Sequence, residues 1–308
     1  MEICRDIASV QRDPCSILTV GTFDGLHLGH QSIIEELKKK GDSKGCRTTL
    51  VTFQPHPKNV LRAPDEPDLK VLTSIDEKIG ILETLAINRL VIIEFTYEFS
   101  RITPDDFVNK ILFDVIGFNE IIIGYDHGFG KDRQGSIATL RKFGAERGFL
   151  VGQLIPLEIN KTLVSSSKIR SLLFEGRVDR ARQLLGRNYH FSGKVVAGEG
   201  RGKDMKFPTA NIQPNSQSKL IPGNGVYAAY VRYGEQKYSG MMNIGVRPTF
   251  PTSDRAIEVH IFGFDKNVYG ETLHIEFVKR IRDERRFSGS AELVSQLKLD
   301  QESCLSIL

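Results

Sequence analysis

The chain changes its hydrophobic rhythm once, near Tyr189, and that change limits what it can fold into. Before it, short apolar runs alternate with stretches of helical spacing. Ser16–Val20 and residues 48–53, 90–95 and 120–124 read as strands. Between them, residues 30–40 put Ile33, Ile34 and Leu37 on one helical face. Ser74 followed by Glu77 is a capping box, continued by Ile75, Ile79, Leu82 and Ala86 at helical spacing. Thr103-Pro104-Asp105-Asp106 opens another helix, with proline in the first turn and acids at the positive dipole end. Apolar strands alternating with helices predict a parallel sheet covered on both faces.

After Tyr189 the period becomes two. Residues 225–233, 237–244, 256–264 and 271–281 alternate side chains and are separated by glycine, proline and polar turns. Sequential strands without helices between them predict an antiparallel sheet or small barrel. Helical spacing returns after Ser288-Gly289-Ser290 through Val294, Leu297, Cys304 and Leu308, giving a terminal helix. Helix signals at 167–176 and 178–186 sit at the seam, so the expected domains are 1–186 and 187–308, as suits 308 residues.

Charge excludes some functions. Lys plus Arg is 42 against 38 for Asp plus Glu, a net +4, with no block of five or six like charges. That does not describe a nucleic-acid coat protein, though it leaves room for a local anion site. Cys4, Cys15, Cys46 and Cys304 are scattered without a C-x-x-C pair, so neither a disulfide framework nor a zinc knuckle is expected, and a reducing compartment is. Residues 1–6 lack the start of a secretory signal, and apolar runs such as 90–93 fall far below the ~18 residues of a membrane span. The expectation is a cytoplasmic protein with small-molecule substrates, no nucleic-acid or membrane partner, and a monomeric or weakly homo-oligomeric state.

Where the first strand gives way to a helix the chain reads Gly21-Thr22-Phe23-Asp24-Gly25-Leu26-His27-Leu28-Gly29-His30. Unpaired backbone N–H groups and a positive dipole end suit phosphate there. Two imidazoles three residues apart add donors, and Gly29 lets a ligand approach the backbone. At this composition His-x-Gly-His is expected by chance about 0.014 times, so the pattern carries information. A histidine pair that merely caps the helix is the alternative; a zinc pair has no third ligand nearby in sequence. No P-loop occurs in this half, and Gly124-x-x-x-Gly128-x-Gly130 and Gly198-x-Gly200-x-Gly202 lack dinucleotide-fingerprint spacing. A second anion site is suggested by Ser165-Ser166-Ser167-Lys168-Ile169-Arg170, with hydroxyls and two cations at a helix start, although an ordinary serine cap explains part of it.

His-x-Gly-His resembles the nucleotidyltransferase superfamily. The decameric motif at 21–30 is followed by Thr52-Phe53-x-Pro55-His56-Pro57, Gly124-Tyr125-Asp126 with Phe129-Gly130, and Ser165-Ser166-Ser167-x-Ile169-Arg170. Together these resemble the adenylyltransferase half of prokaryotic FAD synthetases. In the second half Gly193-Lys194-Val195-Val196-Ala197-Gly198-Glu199-Gly200-Arg201-Gly202 precedes Phe207-Pro208-Thr209-Ala210-Asn211. By itself that reads as a flexible hairpin or a turn with hard oxygen ligands. With Asn243-Ile244-Gly245-x-Arg247-Pro248-Thr249, Glu258-Val259-His260 and Arg282-Asp283-Glu284 with Phe287, it resembles the riboflavin kinases.

The resemblance implies a bifunctional riboflavin kinase/FMN adenylyltransferase: a Rossmann-like nucleotidyltransferase sheet in an α/β N-terminal half, then an antiparallel β-barrel with a terminal helix. It implies ATP and Mg2+, with riboflavin, FMN and FAD as substrates and products. For adenylyl transfer it implicates Gly21, Phe23, Asp24, Gly25, His27, Gly29, His30, Ser166, Ser167 and Arg170, with Asp126 as a flavin or metal contact. For the kinase it implicates Gly193, Gly198, Gly200, Lys203, Pro208, Thr209 and Asn211 toward ATP, Thr209 and Asn211 toward the metal, Glu258 as general base, and Arg282, Glu284 and Phe287 toward the flavin. Four positions depart from the pattern: Lys206 stands in place of glycine, Ser167 in place of threonine, and His127-Gly128 in place of phenylalanine and arginine. Two rivals remain, a tRNA-charging or other adenylyltransferase with an RNA-binding barrel, and a flavin-binding regulator without turnover.

Overall fold

The computed structural model describes residues 1–125, 128–198, 207–246 and 255–308. These form two compact units, Met1–Ser165 and Ser166–Leu308.

In the first unit the chain runs β1 (Glu2–Cys4), β2 (Ser16–Val20), α1 (Leu28–Lys44), β3 (Arg47–Gln54), α2 (Pro57–Leu61), α3 (Ile75–Thr84) and β4 (Arg89–Glu94). It continues through α4 (Tyr97–Ser100), α5 (Pro104–Asp106), a wide π-helical stretch over Phe107–Ile116, β5 (Glu120–Ile123), α6 (Ile137–Arg147) and β6 (Leu150–Gln153). A hairpin of β7 (Glu158–Ile159) and β8 (Thr162–Leu163) follows. Six strands pair in parallel in the order β1-β4-β3-β2-β5-β6. Alternate residues of each strand serve opposite cores. Ile17, Leu50, Leu90 and Ile92 pack with Ile34 and Leu37 of α1 and Leu82 of α3, whereas Leu18, Val51, Val91 and Ile93 pack with Phe107, Leu112 and Leu140. Burial on both faces explains the unbroken apolar runs. The Ser74–Glu77 capping box forms, and Thr103 caps α5 with Pro104 in the first turn.

The second unit opens with α7 (Ser166–Phe174) and α8 (Val178–Leu185), the latter packed against β9 (Tyr189–Val196) and β14 (Thr272–Arg282). Between these two strands come β10 (Ala210–Pro214), β11 (Gly225–Tyr233), β12 (Gln236–Val246) and β13 (Arg255–Ile261), and the six close a barrel in the order β10-β13-β12-β11-β14-β9. The rings of Phe191, Tyr227 and Phe277 are fully buried, with Phe191 and Phe277 stacked at 5.9 Å. The terminal helix α9 (Ser290–Leu305) packs its Val294, Leu297 and Cys304 with Phe207, Ala228 and Met241.

Three expectations change. Cys15 and Cys46 are joined as a disulfide, with Cα atoms 5.1 Å apart. They immediately precede Ser16 and Arg47, which are register partners in the adjacent strands β2 and β3, so a separation of 31 residues in sequence vanishes in space. The proline-threonine-alanine-asparagine segment is only half loop, because β10 begins at Ala210. Strands β1 and β6 and helix α6 also join the fold; β1 and β6 are too short to show a period in sequence.

Arg282 reaches from β14 to α9 and grips the carboxylate of Asp300, its Nε 2.9 Å from Oδ1 and its Nη2 2.7 Å from Oδ2. Asp300 is 1% exposed. Removing one partner of such a pair leaves a buried charge unpaired. Asp300→Ala should therefore lower stability by about 3 kcal/mol, and the double change Arg282→Met/Asp300→Leu by less, in urea unfolding followed by circular dichroism.

Candidate active sites

In an open parallel sheet ligands bind beyond the carboxyl ends of the strands where strand order reverses. Here the chain builds outward from β2 through β3 and β4 on one side and through β5 and β6 on the other, so the reversal lies between β2 and β5. The motif 21–30 leaves the carboxyl end of β2. Gly21 N–H still donates to Val51 of β3 at 3.0 Å, after which the chain turns sharply into α1.

His27 is the N-cap of α1, its Nδ1 accepting from the His30 N–H at 3.3 Å. That bond fixes the tautomer and makes Nε2 the donor nitrogen. The His27 and His30 rings stack at 3.6 Å, and Phe23 tilts against His30 at 5.0 Å. The capping reading is thus true of His27, through Nδ1. Gly29 accommodates the His27 ring itself, since a Cβ there would meet Cε1 and Nδ1 at 3.3 Å. Gly25 has φ +85°, and a side chain on it would run into Leu72.

Beneath this turn lies a polar network absent from the sequence reading. Asp24, 2% exposed, accepts from Leu72 N–H at 2.9 Å and Thr73 N–H at 3.1 Å, and the Thr73 hydroxyl receives Gly25 N–H at 3.0 Å. Asp24 thus ties the turn to the segment ahead of α3. Lys78 of α3, 5% exposed, donates to the Thr22 carbonyl at 2.7 Å and the Thr52 hydroxyl at 3.1 Å. Burial pushes the Lys78 ammonium down to about 8, against the pull of the Asp24 carboxylate. At the same edge of the sheet, Phe53 contacts Phe95 at 5.6 Å and Phe99 at 6.1 Å, and Phe107 joins Phe99 to Phe129.

Ser166, Ser167 and Arg170 lie in the first turns of α7, in the second compact unit, with Arg170 buried and Ser167 exposed. Asp126, Gly200 and Lys203 lie outside the described residues, as do Lys206, His127 and the Arg247-Pro248-Thr249 stretch.

On the barrel, strand register brings the expected residues together. Asn211 of β10 is the register partner of Glu258 in β13, and Glu258 in turn of Asn243 in β12. Direct partners share a face of the sheet, so the three polar side chains form one row across three strands. The sequence motif gives Asn243 no role of its own, and its place beside Glu258 follows from the strand register. Gly198 lies against Asn211, where any side chain would fall on the carboxamide. Thr209 and Pro208 are exposed, and His260 anchors the segment by donating Nδ1–H to the Pro208 carbonyl at 2.7 Å. Gly193 sits inside β9, where its missing side chain lets Ile212 and Gln213 close in. Glu284 accepts from Asn224 Nδ2 at 3.1 Å, while the Arg282 and Arg285 guanidinium groups lie 5.7 and 4.8 Å from the Phe287 ring.

A family model described as FAD synthetase matches residues 9–168, and one described as riboflavin kinase matches residues 185–308. A bifunctional riboflavin kinase/FMN adenylyltransferase of Buchnera aphidicola subsp. Schizaphis graminum is 36% identical over 98% of this chain and 97% of its own. Its namesakes in Bacillus subtilis and Escherichia coli are 35% and 30% identical, covering 94% and 98% of this chain and 92% and 96% of theirs. The chain belongs to the bifunctional riboflavin kinase/FMN adenylyltransferase family. A solved structure from Streptococcus pneumoniae, titled a macrolide-efflux protein, superimposes with a TM-score of 0.88 at 30% identity, covering 98% of this chain and 97% of that one. Among the described residues here, no helix is long and apolar enough to cross a membrane.

Within this family, the packing of His27 over Gly29 gives a direct test. Gly29→Ala should displace the ring and lower the rate of FAD formation about 10-fold or more, with riboflavin phosphorylation unchanged in the same preparation.

Proposed function

We propose that the C-terminal barrel phosphorylates riboflavin to FMN and that the N-terminal sheet adenylylates FMN to FAD, each step with its own ATP. By motif content the adenylyltransferase domain is 1–186 and the kinase domain 187–308, with Ser166, Ser167 and Arg170 serving the first reaction. The observation that carries this reading is the stacked His27–His30 pair at the N-terminus of a 17-residue helix, beside the point where strand order reverses.

For adenylyl transfer, the FMN phosphate attacks the α-phosphorus of ATP and pyrophosphate leaves. The imidazole donors and the α1 backbone stabilise charge that grows on the phosphate oxygens, so no covalent enzyme intermediate is needed. Phe53 and Phe95 offer an apolar face for the flavin ring, and Asp126 a further flavin or metal contact. In the barrel, Glu258 takes the proton of the ribityl 5′-hydroxyl as that oxygen attacks the γ-phosphorus and ADP leaves. Arg282, Glu284 and Phe287 border the flavin. Contacts to ATP are assigned to Gly193, Gly198, Gly200, Lys203 and Pro208.

Thr209 and Asn211 supply neutral, hard oxygens, which suit a Mg2+ ion that keeps several waters and shares ATP phosphates. Held by Thr209 and Asn211, such an ion would supply positive charge to offset the negative charge of the reacting phosphates. An enzyme fed by ATP and riboflavin would act in the cytoplasm on small molecules, without nucleic-acid or membrane partners, as a monomer or weak oligomer.

Incubation with riboflavin, ATP and magnesium, followed by flavin separation, tests the division of labour. His27→Ala should lower FMN-to-FAD conversion about 100-fold and leave riboflavin phosphorylation near normal. Glu258→Ala should do the reverse by a similar factor. If both variants reduce both activities equally, the two-site assignment is wrong. Chelation of magnesium should stop both steps, and Asn211→Ala should raise the magnesium concentration needed by the kinase alone.

A further inference from the structure

The turn between β2 and α1 is strained. Phe23 and Leu26 hold φ of 46° and 40°, where non-glycine residues are uncommon, and Gly25 lies between them at 85°. Such conformations persist only where the surroundings over-determine them. Asp24 and Thr73 restrain the far side of the turn, as described above. The near side is held by Lys78, whose ammonium binds the carbonyl of Thr22, the residue immediately before Phe23. The Thr52 hydroxyl lies 3.1 Å from that same carbonyl and from Lys78 Nζ, which closes a triangle of three polar groups.

Packing alone does not call for a charge at this buried position, because a methionine fills similar volume without a desolvation cost. What the lysine adds is a charged donor to one particular carbonyl. Phe23, His27 and His30, whose rings are in contact, all ride on the backbone that follows.

We propose that Lys78 is a positioning residue for adenylyl transfer: its ammonium grips the Thr22 carbonyl and so holds the strained turn that aligns Phe23, His27 and His30 on the ATP phosphates. This rests on reading the turn as the adenylyltransferase's phosphate loop. The riboflavin kinase reaction of the same chain serves as an internal control, since its site lies on a different unit.

The test measures, in full-length protein, kcat and KM for FMN-to-FAD conversion, the rate of riboflavin phosphorylation, and thermal unfolding. Lys78→Met should lower kcat for FAD formation about 10- to 100-fold, with kinase rate unchanged and melting temperature equal or higher. Lys78→Arg, which keeps a cationic donor, should recover most of that loss. Thr52→Val, nearly isosteric, removes one of the two acceptors and should lower kcat by a smaller factor. Wild-type kcat in Lys78→Met, or in Thr52→Val should Lys78→Met not fold, overturns the inference. So does a fall in both activities that tracks a falling melting temperature, which would make the lysine a fold support. A wild-type chain that makes no FAD from FMN and ATP overturns the reading of the loop itself, and the inference with it.

Discussion

Everything in the first unit is arranged around the carboxyl end of β2. There the strand order reverses, a helix begins, and the backbone must turn through two left-handed non-glycine residues to connect them. A helix N-terminus attracts anions without help from side chains, but it does so only where its first turn points. The direction of α1 is set by the sheet and by Ile33, Ile34 and Leu37 beneath it; the shape of the approach is set by the Asp24 and Lys78 ties. The histidines add two stacked imidazoles to a helix start that the backbone has already defined.

The barrel solves a similar problem differently. Its polar row is made by register: Asn211, Glu258 and Asn243 meet because three antiparallel strands align them. Closing the barrel fixes that register, since a one-residue slip would turn each residue to the opposite face. The fully buried rings of Phe191, Tyr227 and Phe277, and α9 clamped through Asp300, support the barrel that holds this row in register.

Local features were the legible ones. The capping box at Ser74, the proline-led start at Thr103 and the alternation of the barrel strands depend on residues a few positions apart, and the structure contains all three. The His27–His30 pair was legible for the same reason, as one caps the backbone of the other. What needed the fold was hidden. The Cys15–Cys46 pairing depends on β2 lying beside β3, and the place of Asn243 depends on the register of β12 with β13. Lys78 follows Asp76 and Glu77 in a helix that reads as amphipathic, and lysine is almost never fully buried, so nothing local marks it as an interior donor. The Pro208–Asn211 stretch reads as loop because proline and asparagine disfavour strands, yet its second half pairs with β9 and β13.

Lys78 also shows which effect prevails where stability and site geometry compete. Its ammonium is held from the ordinary 10.5 to about 8, so folding disfavours the proton that the unfolded chain keeps. The resulting cost is complete below pH 8 and diminishes as pH rises toward 10.5, where the unfolded chain also loses the proton. At neutral pH the fold therefore carries a charged group that destabilises it. Hydrophobic residues of similar volume would remove that cost, as they do for other buried charges, but they would leave the Thr22 carbonyl and the Thr52 hydroxyl without their shared donor. A buried cation that weakens the fold while binding one carbonyl beside two strained residues is better explained by the turn it shapes than by the core it occupies.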